Sequence, residues 1–309
     1  MMNQYLPMII ISILMGTIAR INLLKVDYRQ YPSYPKGYIS HFTFGIIAAA
    51  LGAVAVPAII EKDFQAITFL SIAATQFREV RNMERESLAN LEDTELVPRG
   101  KAYIEDIAKA FESRNYIAML TAIISSLSIQ LYLFFIEDQA AFFIQWIVGI
   151  VSGIICIVIL ARFTRGKVIE DIADVVPAKI YFKGPLLCVE NIAIMNVGFE
   201  DSKKILLEKG MAILIKPKDD NAMATLANIG LRQAIQHNAA TQLGIRKDVD
   251  EPDFTPLARR SSEDGSVGLF IVAMEPDMKY FIEVVKRVPV LESSQRKPLE
   301  SHAGRKAAD

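Results

Sequence analysis

Apolar stretches long enough to cross a lipid bilayer are the feature that most constrains this chain. A bilayer core of about 30 Å needs about 20 consecutive apolar residues in a helix. Five stretches in the first half of the chain reach or approach this length. They lie at about residues 5–24, 38–60, 64–76, 116–136 and 141–161. We therefore expect an α-helical integral membrane protein with about five transmembrane helices, all within residues 1–161, so that the lipid bilayer is its first partner.

Basic residues between these stretches predict an orientation, because Lys and Arg in short loops stay on the cytoplasmic side. The first and third loops carry Arg20, Lys25, Arg29, Lys36, Arg78, Arg81, Arg85, Arg99, Lys101, Lys109 and Arg114. The other loops, Glu61-Lys62-Asp63 and Glu137-Asp138, have one basic residue between them. This alternation predicts a multi-pass protein of the cell membrane with its N-terminus outside and its C-terminus in the cytoplasm.

The second half of the chain has a different character. Residues 1–161 hold 12 of the 34 Lys and Arg residues, and the net charge of −1 gives no reason to expect a nucleic acid partner. Strands are predicted at 179–182, 186–197, 211–215 and 267–274, with a short one at 288–291, and helices at 201–209, 221–243 and 278–287. Residues 178–293 are thus predicted to form a cytoplasmic α/β domain, followed by a disordered tail at 294–309.

One phrase occurs twice and brackets the last two apolar stretches. Arg99-Gly100-Lys101-Ala102-Tyr103-Ile104-Glu105-Asp106-Ile107-Ala108 precedes them, and Arg165-Gly166-Lys167-Val168-Ile169-Glu170-Asp171-Ile172-Ala173 follows them. The spacing of the apolar residues predicts an amphipathic helix within a cytoplasmic loop at 77–115 and another at 162–177. Both would lie on one membrane face and dock the α/β domain. The residues expected to dock are Tyr103, Ile104, Glu105, Asp106, Ile107, Ile169, Glu170, Asp171 and Ile172.

The acidic pairs of the phrase leave two interpretations open. Glu105, Asp106, Glu170 and Asp171 could converge on a divalent cation, or they could form the hydrated sides of the two helices. The second interpretation is favoured, because adjacent acids on a helix point about 100° apart. We predict no metal site, and the sequence has no glycine-rich phosphate loop, Cys or His cluster or nucleophile elbow. Hence no catalytic residue and no cofactor are predicted.

Two further patterns carry weaker predictions. Gly149 and Gly153 form a small-xxx-small pair that predicts close helix packing or a homo-oligomer. His237 is expected at the surface of its helix. The charged loop 248–264, with Arg259-Arg260-Ser261-Ser262, could bind an acidic partner, be phosphorylated or simply be solvated.

Tyr103-Ile104-Glu105-Asp106-Ile107-Ala108 resembles the signature of the YIEGIA family of spore-forming bacteria, named for Tyr-Ile-Glu-Gly-Ile-Ala. Asp106 stands where the family name has Gly, so five of the six residues match. The resemblance implies a setting in sporulation and supplies no catalytic residues.

Taken together, these patterns predict a non-enzymatic assembly or scaffold protein of the membrane, which presents its cytoplasmic domain to a protein partner. The alternative is a transporter or channel for a small solute or lipid. Its path would be lined by neutral polar residues of the spans: Thr68, Ser71, Thr75, Ser125, Ser126, Ser128, Gln130, Gln145 and Ser152.

Overall fold

Two compact units make up the chain in the computed structural model, which describes residues 2–27, 35–135, 142–164, 166–245, 247–248, 251–252 and 256–308. The membrane unit comprises Met1–Glu86 and Ile107–Arg165, and the α/β unit comprises Ser87–Asp106 and Gly166–Asp309. Arg29 and the Glu137-Asp138 loop, which contributed to the predicted orientation, lie outside the described residues.

Five long helices run through the first half of the chain. They are α1 Met2–Asp27, α2 Pro35–Ile60, α3 Phe64–Leu91, α4 Lys101–Phe135 and α5 Phe142–Phe163. Four of the described helices are long and apolar enough to cross a membrane, through Tyr5–Leu23, Ile39–Ile60, Lys101–Phe135 and Phe143–Phe163. The predicted class, a multi-pass helical membrane protein with a following α/β region, is confirmed.

The structure gives four candidate spans where the sequence predicted five. Residues 64–76 form the first half of α3, which is not among the four. At 1.5 Å per residue this apolar run rises only about 20 Å, less than the bilayer core. Its second half is charged. The α3 helix therefore lacks a continuous apolar length of the required size.

The predicted fourth span and the amphipathic helix before it are one continuous helix. α4 has 35 residues and begins at Lys101, inside the first copy of the phrase. The division between the units falls after Asp106. The first six residues of α4 therefore belong to the α/β unit, and the rest of α4 belongs to the membrane unit.

Short helices and strands form the α/β unit. The helices are α6 Ile169–Ile172, α7 Glu200–Lys209, α8 Asp220–Leu226, α9 Ile229–Leu243, α10 Met278–Lys286 and α11 His302–Ala308. The strands are β1 Ala173–Pro177, β2 Ile180–Lys183, β3 Leu186–Val189, β4 Ile192–Asn196, β5 Gly210–Pro217, β6 Lys247–Asp248, β7 Glu251–Pro252, β8 Leu257–Arg260 and β9 Val267–Val272. All strand pairs are antiparallel, in sheets ordered β1-β5-β9-β8, β2-β3-β4 and β6-β7.

The core of this unit lies between the four-stranded and the three-stranded sheet. Alternate residues of β5 and β9, such as Ala212 and Phe270, pack with Leu187 and Ile194 of the smaller sheet. Leu206 of α7 completes this cluster. Every residue of β9 is buried, because side chains alternate between the two faces and both faces are covered.

The second copy of the phrase differs most from its prediction. Residues 162–177 do not form an amphipathic helix: α5 ends at Phe163, Ile169–Ile172 form a single turn, and Ala173–Pro177 form strand β1. The β-branched residues Val175 and Val176 pair with Ile215 and Leu214 of β5. Strand pairing over this short apolar run prevails over the local helical pattern.

Other boundaries also differ from those predicted. The predicted strand 186–197 is a hairpin that turns at Glu190, whose φ is 49°. The predicted helix 221–243 is interrupted before Asn228, whose side chain accepts a hydrogen bond from the Leu231 amide and caps α9. Part of the predicted loop 248–264 is strand β8. The tail predicted to be disordered contains the 3₁₀ turn Pro298–Glu300 and α11.

Candidate functional site

A glutamate fixes the point where α4 begins. Glu92 accepts hydrogen bonds from the backbone amides of Arg99 and Gly100, both at 2.8 Å. Gly100 has a φ of +85°, which favours glycine at this position. A carboxylate at a helix N-terminus satisfies free amides and interacts favourably with the helix dipole. The first copy of the phrase therefore starts from a fixed turn.

Helix α9 packs directly against this first copy. The His237 Nδ1 atom lies 2.6 Å from the Val97 carbonyl oxygen, and the rings of His237 and Tyr103 meet edge to face at 6.3 Å between centroids. A Cβ added at Gly230 would come within 2.6 Å of the Ala102 Cβ, so the two backbones approach closely. The segment from Val97 to Tyr103 is thus held against one face of α9.

His237 is a structural residue in this arrangement. Burial lowers its pKa below the usual 6.5; the charge of Arg99 acts in the same direction, whereas the Val97 carbonyl, Glu95 and Glu92 oppose it. The neutral ring donates its Nδ1 hydrogen to the Val97 carbonyl oxygen. The prediction of a surface position was wrong, because His237 lies on the buried face of α9.

The second copy is held by a different part of the α/β unit. Val168 forms a β-bridge with Pro289, the Ile169 amide donates to the Val288 carbonyl at 2.9 Å, and the Val290 amide donates to the Lys167 carbonyl at 2.9 Å. The Asp171 carboxylate accepts the Val168 amide at 2.8 Å and closes the turn.

Both copies of the phrase contact the same short segment, residues 288–292. The Glu292 amide donates to the Asp106 carboxylate at 2.9 Å, while Val288, Pro289 and Val290 hold the second copy. The predicted short strand at 288–291 forms only this isolated bridge. The doubled phrase thus frames one segment of the α/β unit.

The predicted docking residues differ in how deeply their side chains are buried. Tyr103, Ile104, Ile107 and Ile169 are buried, Ile172, Glu105 and Asp106 are partly buried, and Glu170 and Asp171 are exposed. Asp106 and Asp171 accept backbone amides, and Glu170 lies 3.8 Å from Lys286. Across the described residues, no group of three or more His, Cys, Asp or Glu side chains is placed to hold a metal ion.

Small residues and hydroxyl groups bring helices together in the membrane unit. A Cβ at Gly149 would lie 2.7 Å from Ile129 of α4, and one at Gly153 would lie 2.8 Å from Met15 of α1. Ser125 donates to the Gly149 carbonyl at 2.9 Å. Gly16, which the sequence analysis did not single out, is equally close to α4, with the Ala118 carbonyl oxygen at 2.6 Å from its added Cβ.

Ionisable side chains also lie inside the membrane unit, although Arg20 and Arg114 were predicted to lie in loops. Arg20 is fully buried, with its guanidinium carbon 5.6 Å from the centre of the Phe111 ring. His41 stacks at 4.5 Å on the same ring, and Arg114 is buried as well. The helices extend beyond the apolar stretches, so that these three residues become part of the packed bundle.

A groove of about 700 Å³ opens on the α/β unit beside the first copy of the phrase. Its lining residues are Val97, Pro98, Ile229, Arg232, Gln233, Gln236, Pro256, Leu257, Ala258, Arg259 and Arg260. We call it the arginine groove. The Gln236 side-chain amide donates to the Pro256 carbonyl at 2.9 Å. The His237 ring bonds the Val97 carbonyl, so α9 is hydrogen-bonded to both of the other walls, one at Val97 and one at Pro256.

Three cations distinguish the arginine groove. Burial lowers the pKa of Arg232, and the charge of Arg260 adds to this lowering. Arg259 and Arg260 stand out in the sequence as a basic pair, whereas Arg232 lies within the predicted helix with no local signal. Ser261, next in the predicted motif, lies within hydrogen-bond distance of the Glu263 and Asp264 amides, at 3.2 and 3.5 Å. It therefore helps to shape the turn between β8 and β9.

Comparison with known proteins gives two matches. The family profile described as "YIEGIA protein" matches residues 8–301. A protein of Bacillus subtilis (strain 168), described as "Uncharacterized protein YphB", is 40% identical over 299 residues, which cover 97% of each chain. No solved structure matches this chain.

Stability of the α/β unit should depend on pH through His237. The folded-state pKa of this residue lies below the unfolded value of 6.5, so the unfolded state binds the proton first as the pH falls. Its contribution to the free energy of unfolding is complete above 6.5 and decreases as the pH falls through the folded pKa. His237→Leu should cost about 1–3 kcal/mol near neutral pH, because the Val97 carbonyl loses its partner.

The measurement is thermal unfolding of the full chain in detergent at about pH 7.5 and about pH 5. The difference in Tm between wild type and His237→Leu should shrink at the lower pH. His302→Gln is the control, because His302 is an exposed histidine of the tail. An equal difference at both pH values would contradict the structural role of neutral His237.

Proposed function

The chain belongs to the YIEGIA family, and from this premise we propose that it is a non-enzymatic, membrane-anchored assembly protein. The membrane unit holds the protein in the bilayer, and the α/β unit binds a protein partner. The arginine groove carries this proposal. It is an open surface groove built by three separate chain segments, and it combines apolar walls with three guanidinium groups. Such a surface suits recognition of another chain.

We further propose that the α/β unit faces the cytoplasm and that the N-terminus lies outside. Termini on opposite sides require an odd number of crossings, so this proposal needs residues 64–76 of α3 to cross in addition to the four candidate spans. A short apolar run is accommodated by local thinning of the bilayer. The support is the clustering of Lys and Arg in the first and third loops of the sequence. Described residues such as Arg78 and Arg85 remain exposed on α3, where they can act as cytoplasmic determinants.

A cysteine at Glu208, an exposed residue of α7, tests this orientation. A membrane-impermeant maleimide should label Glu208→Cys only after the cells are opened. The wild-type chain gives the background, since both native cysteines, Cys156 and Cys188, are buried. Labelling in intact cells would place the α/β unit outside and overturn the orientation.

Sporulation is the proposed setting, and its support is the resemblance of the first phrase to the family signature. Deletion of the gene should then reduce the yield of heat-resistant spores without slowing vegetative growth. A deletion strain with a normal spore yield would remove this part of the proposal.

The central experiment places a photoreactive amino acid in the arginine groove of the full chain in living cells. Ile229 is a suitable position because it lines the groove and exposes 73% of its surface. Benzoylphenylalanine at this position should give a discrete covalent adduct with a second protein upon illumination. Leu207 on α7, also an exposed apolar residue, is the matched control and should give none.

Three results would contradict the proposal. Equal adducts at both positions, or none at Ile229, would mean that the groove binds no specific partner. An adduct with a second copy of this chain would replace a separate partner with self-assembly.

The alternative, a transporter or channel, receives less support. Ser125, which the sequence placed on a possible solute path, donates to the Gly149 carbonyl, and Ser128 donates to the Ile124 carbonyl of its own helix. The Ser125 bond joins α4 to α5, and the Ser128 bond satisfies the hydroxyl group within α4 itself. Saturable flux in liposomes that is lost on changing Ser128 or Gln130 would favour the alternative instead.

A further inference from the structure

Strand β8 forms one wall of the arginine groove and stands at the edge of its sheet. The sheet order is β1-β5-β9-β8, so β9 is the one neighbour of β8 among the described strands. An edge strand leaves alternate amide and carbonyl groups directed away from the sheet. These groups are available to another extended chain.

The groove follows this free edge. Five consecutive residues, Pro256–Arg260, line it. Side chains of a strand alternate between the two faces, so a surface that follows one face would be lined by every second residue. Lining by consecutive residues indicates that the groove runs beside the backbone of the strand. Helix α9 forms the opposite wall through Ile229, Arg232 and Gln233.

The charges along this groove have one sign. Arg259 and Arg260 project from β8, and Arg232 projects from α9. In the part of the chain that the structure describes, no carboxylate oxygen lies within 4.0 Å of these three guanidinium groups. Guanidinium groups bind carboxylates with two parallel hydrogen bonds. The groove is therefore complementary to carboxylate groups presented at several points along its length.

Apolar surface lies between these cations. Ile229 is exposed at one wall, and Val97 and Pro98 supply another. An extended peptide directs alternate side chains to opposite sides. Arg259 and Arg260 are consecutive, so their side chains leave β8 on opposite sides. A segment that alternates acidic and apolar residues would place its acids on one side, near Arg260 and Arg232, whose charges interact, and its apolar residues on the other.

We propose that the arginine groove binds an extended, acidic segment of the partner protein, which adds to the sheet as a further strand along β8. This inference rests on the proposed function and specifies the chemistry of the partner. Strand addition supplies affinity through backbone hydrogen bonds, and the flanking side chains supply specificity. The groove suits a peptide better than a single phosphate group, because its cations are distributed over a strand and a helix.

The test measures binding of a fluorescent peptide of about eight residues that alternates Glu and Val to the full chain in nanodiscs of neutral lipid. Fluorescence anisotropy should show saturable binding that weakens with added salt. Arg259→Gln combined with Arg260→Gln should weaken binding by about tenfold or more. Lys204→Gln combined with Lys209→Gln removes the same charge from exposed positions of α7 and should leave binding unchanged.

Two further arms separate strand addition from simple charge attraction. The same peptide with N-methyl groups on all of its backbone nitrogens keeps its charge but has no amide donor on either edge for strand pairing, and it should not bind. Inorganic phosphate should compete only at concentrations where salt alone does so. Equal binding of the methylated peptide would overturn the proposal, and so would full competition by dilute phosphate. Binding of the groove to vesicles of anionic lipid in place of the peptide would overturn it as well.

Failure of this inference is distinguishable from failure of the proposed function. A specific adduct at Ile229 together with no affinity for the acidic peptide would retain a partner-binding groove and reject the acidic strand.

Discussion

Two hydrogen bonds from neighbouring residues of α9 determine the shape of the α/β unit at its candidate site. His237 holds the Val97 carbonyl, and Gln236 holds the Pro256 carbonyl. These bonds join a helix to the chain before α4 on one side and to the edge strand β8 on the other. Together with the approach of Gly230 to Ala102, they hold the three walls of the arginine groove to one helix. The geometry of the groove therefore depends on the position of α9 as well as on the side chains that line the groove.

The same helix explains why the first copy of the phrase belongs to the α/β unit. Glu92 fixes the turn at Gly100, and Gly230 allows the backbone of α9 to approach Ala102. A long helix that begins in this way is anchored at its start by tertiary contacts. Asp106, which lies on α4, accepts a further hydrogen bond from the Glu292 amide. The Asp106 carboxylate thus fixes the backbone of the neighbouring segment at Glu292.

Sequence patterns were sufficient for the apolar helices and for the existence of an α/β region, because both depend on long, repeated signals. They were insufficient for the two copies of the phrase, which have nearly the same residues and different structures. The first copy is followed by helix-forming residues such as Lys109 and Ala110. The second is followed by Val175, Val176 and Pro177, which pair in a sheet. The local sequence of the second copy gives no information about β5, the strand with which these residues pair.

The arginine groove was only partly predictable for a similar reason. Arg259 and Arg260 stood out as a basic pair in a polar loop, and an acidic partner was one interpretation of them. Their place on an edge strand depends on pairing with β9, and the approach of Arg232 depends on the packing of α9. Neither is visible as a local pattern. Burial of Arg20 in the membrane unit is likewise a result of helix packing.

Hydrogen–deuterium exchange of the full chain in detergent tests most directly whether α9 supports the groove. In Gly230→Leu, a side chain is introduced where α9 meets Ala102, and its Cβ would also lie 3.2 Å from Oδ1 of Asn228, which caps α9. We expect faster amide exchange at residues 97–106 than in wild type. Gly198→Leu, at a site with no atom within 4 Å of an added Cβ, should leave this segment unchanged. Unchanged exchange at residues 97–106 in Gly230→Leu would contradict the account.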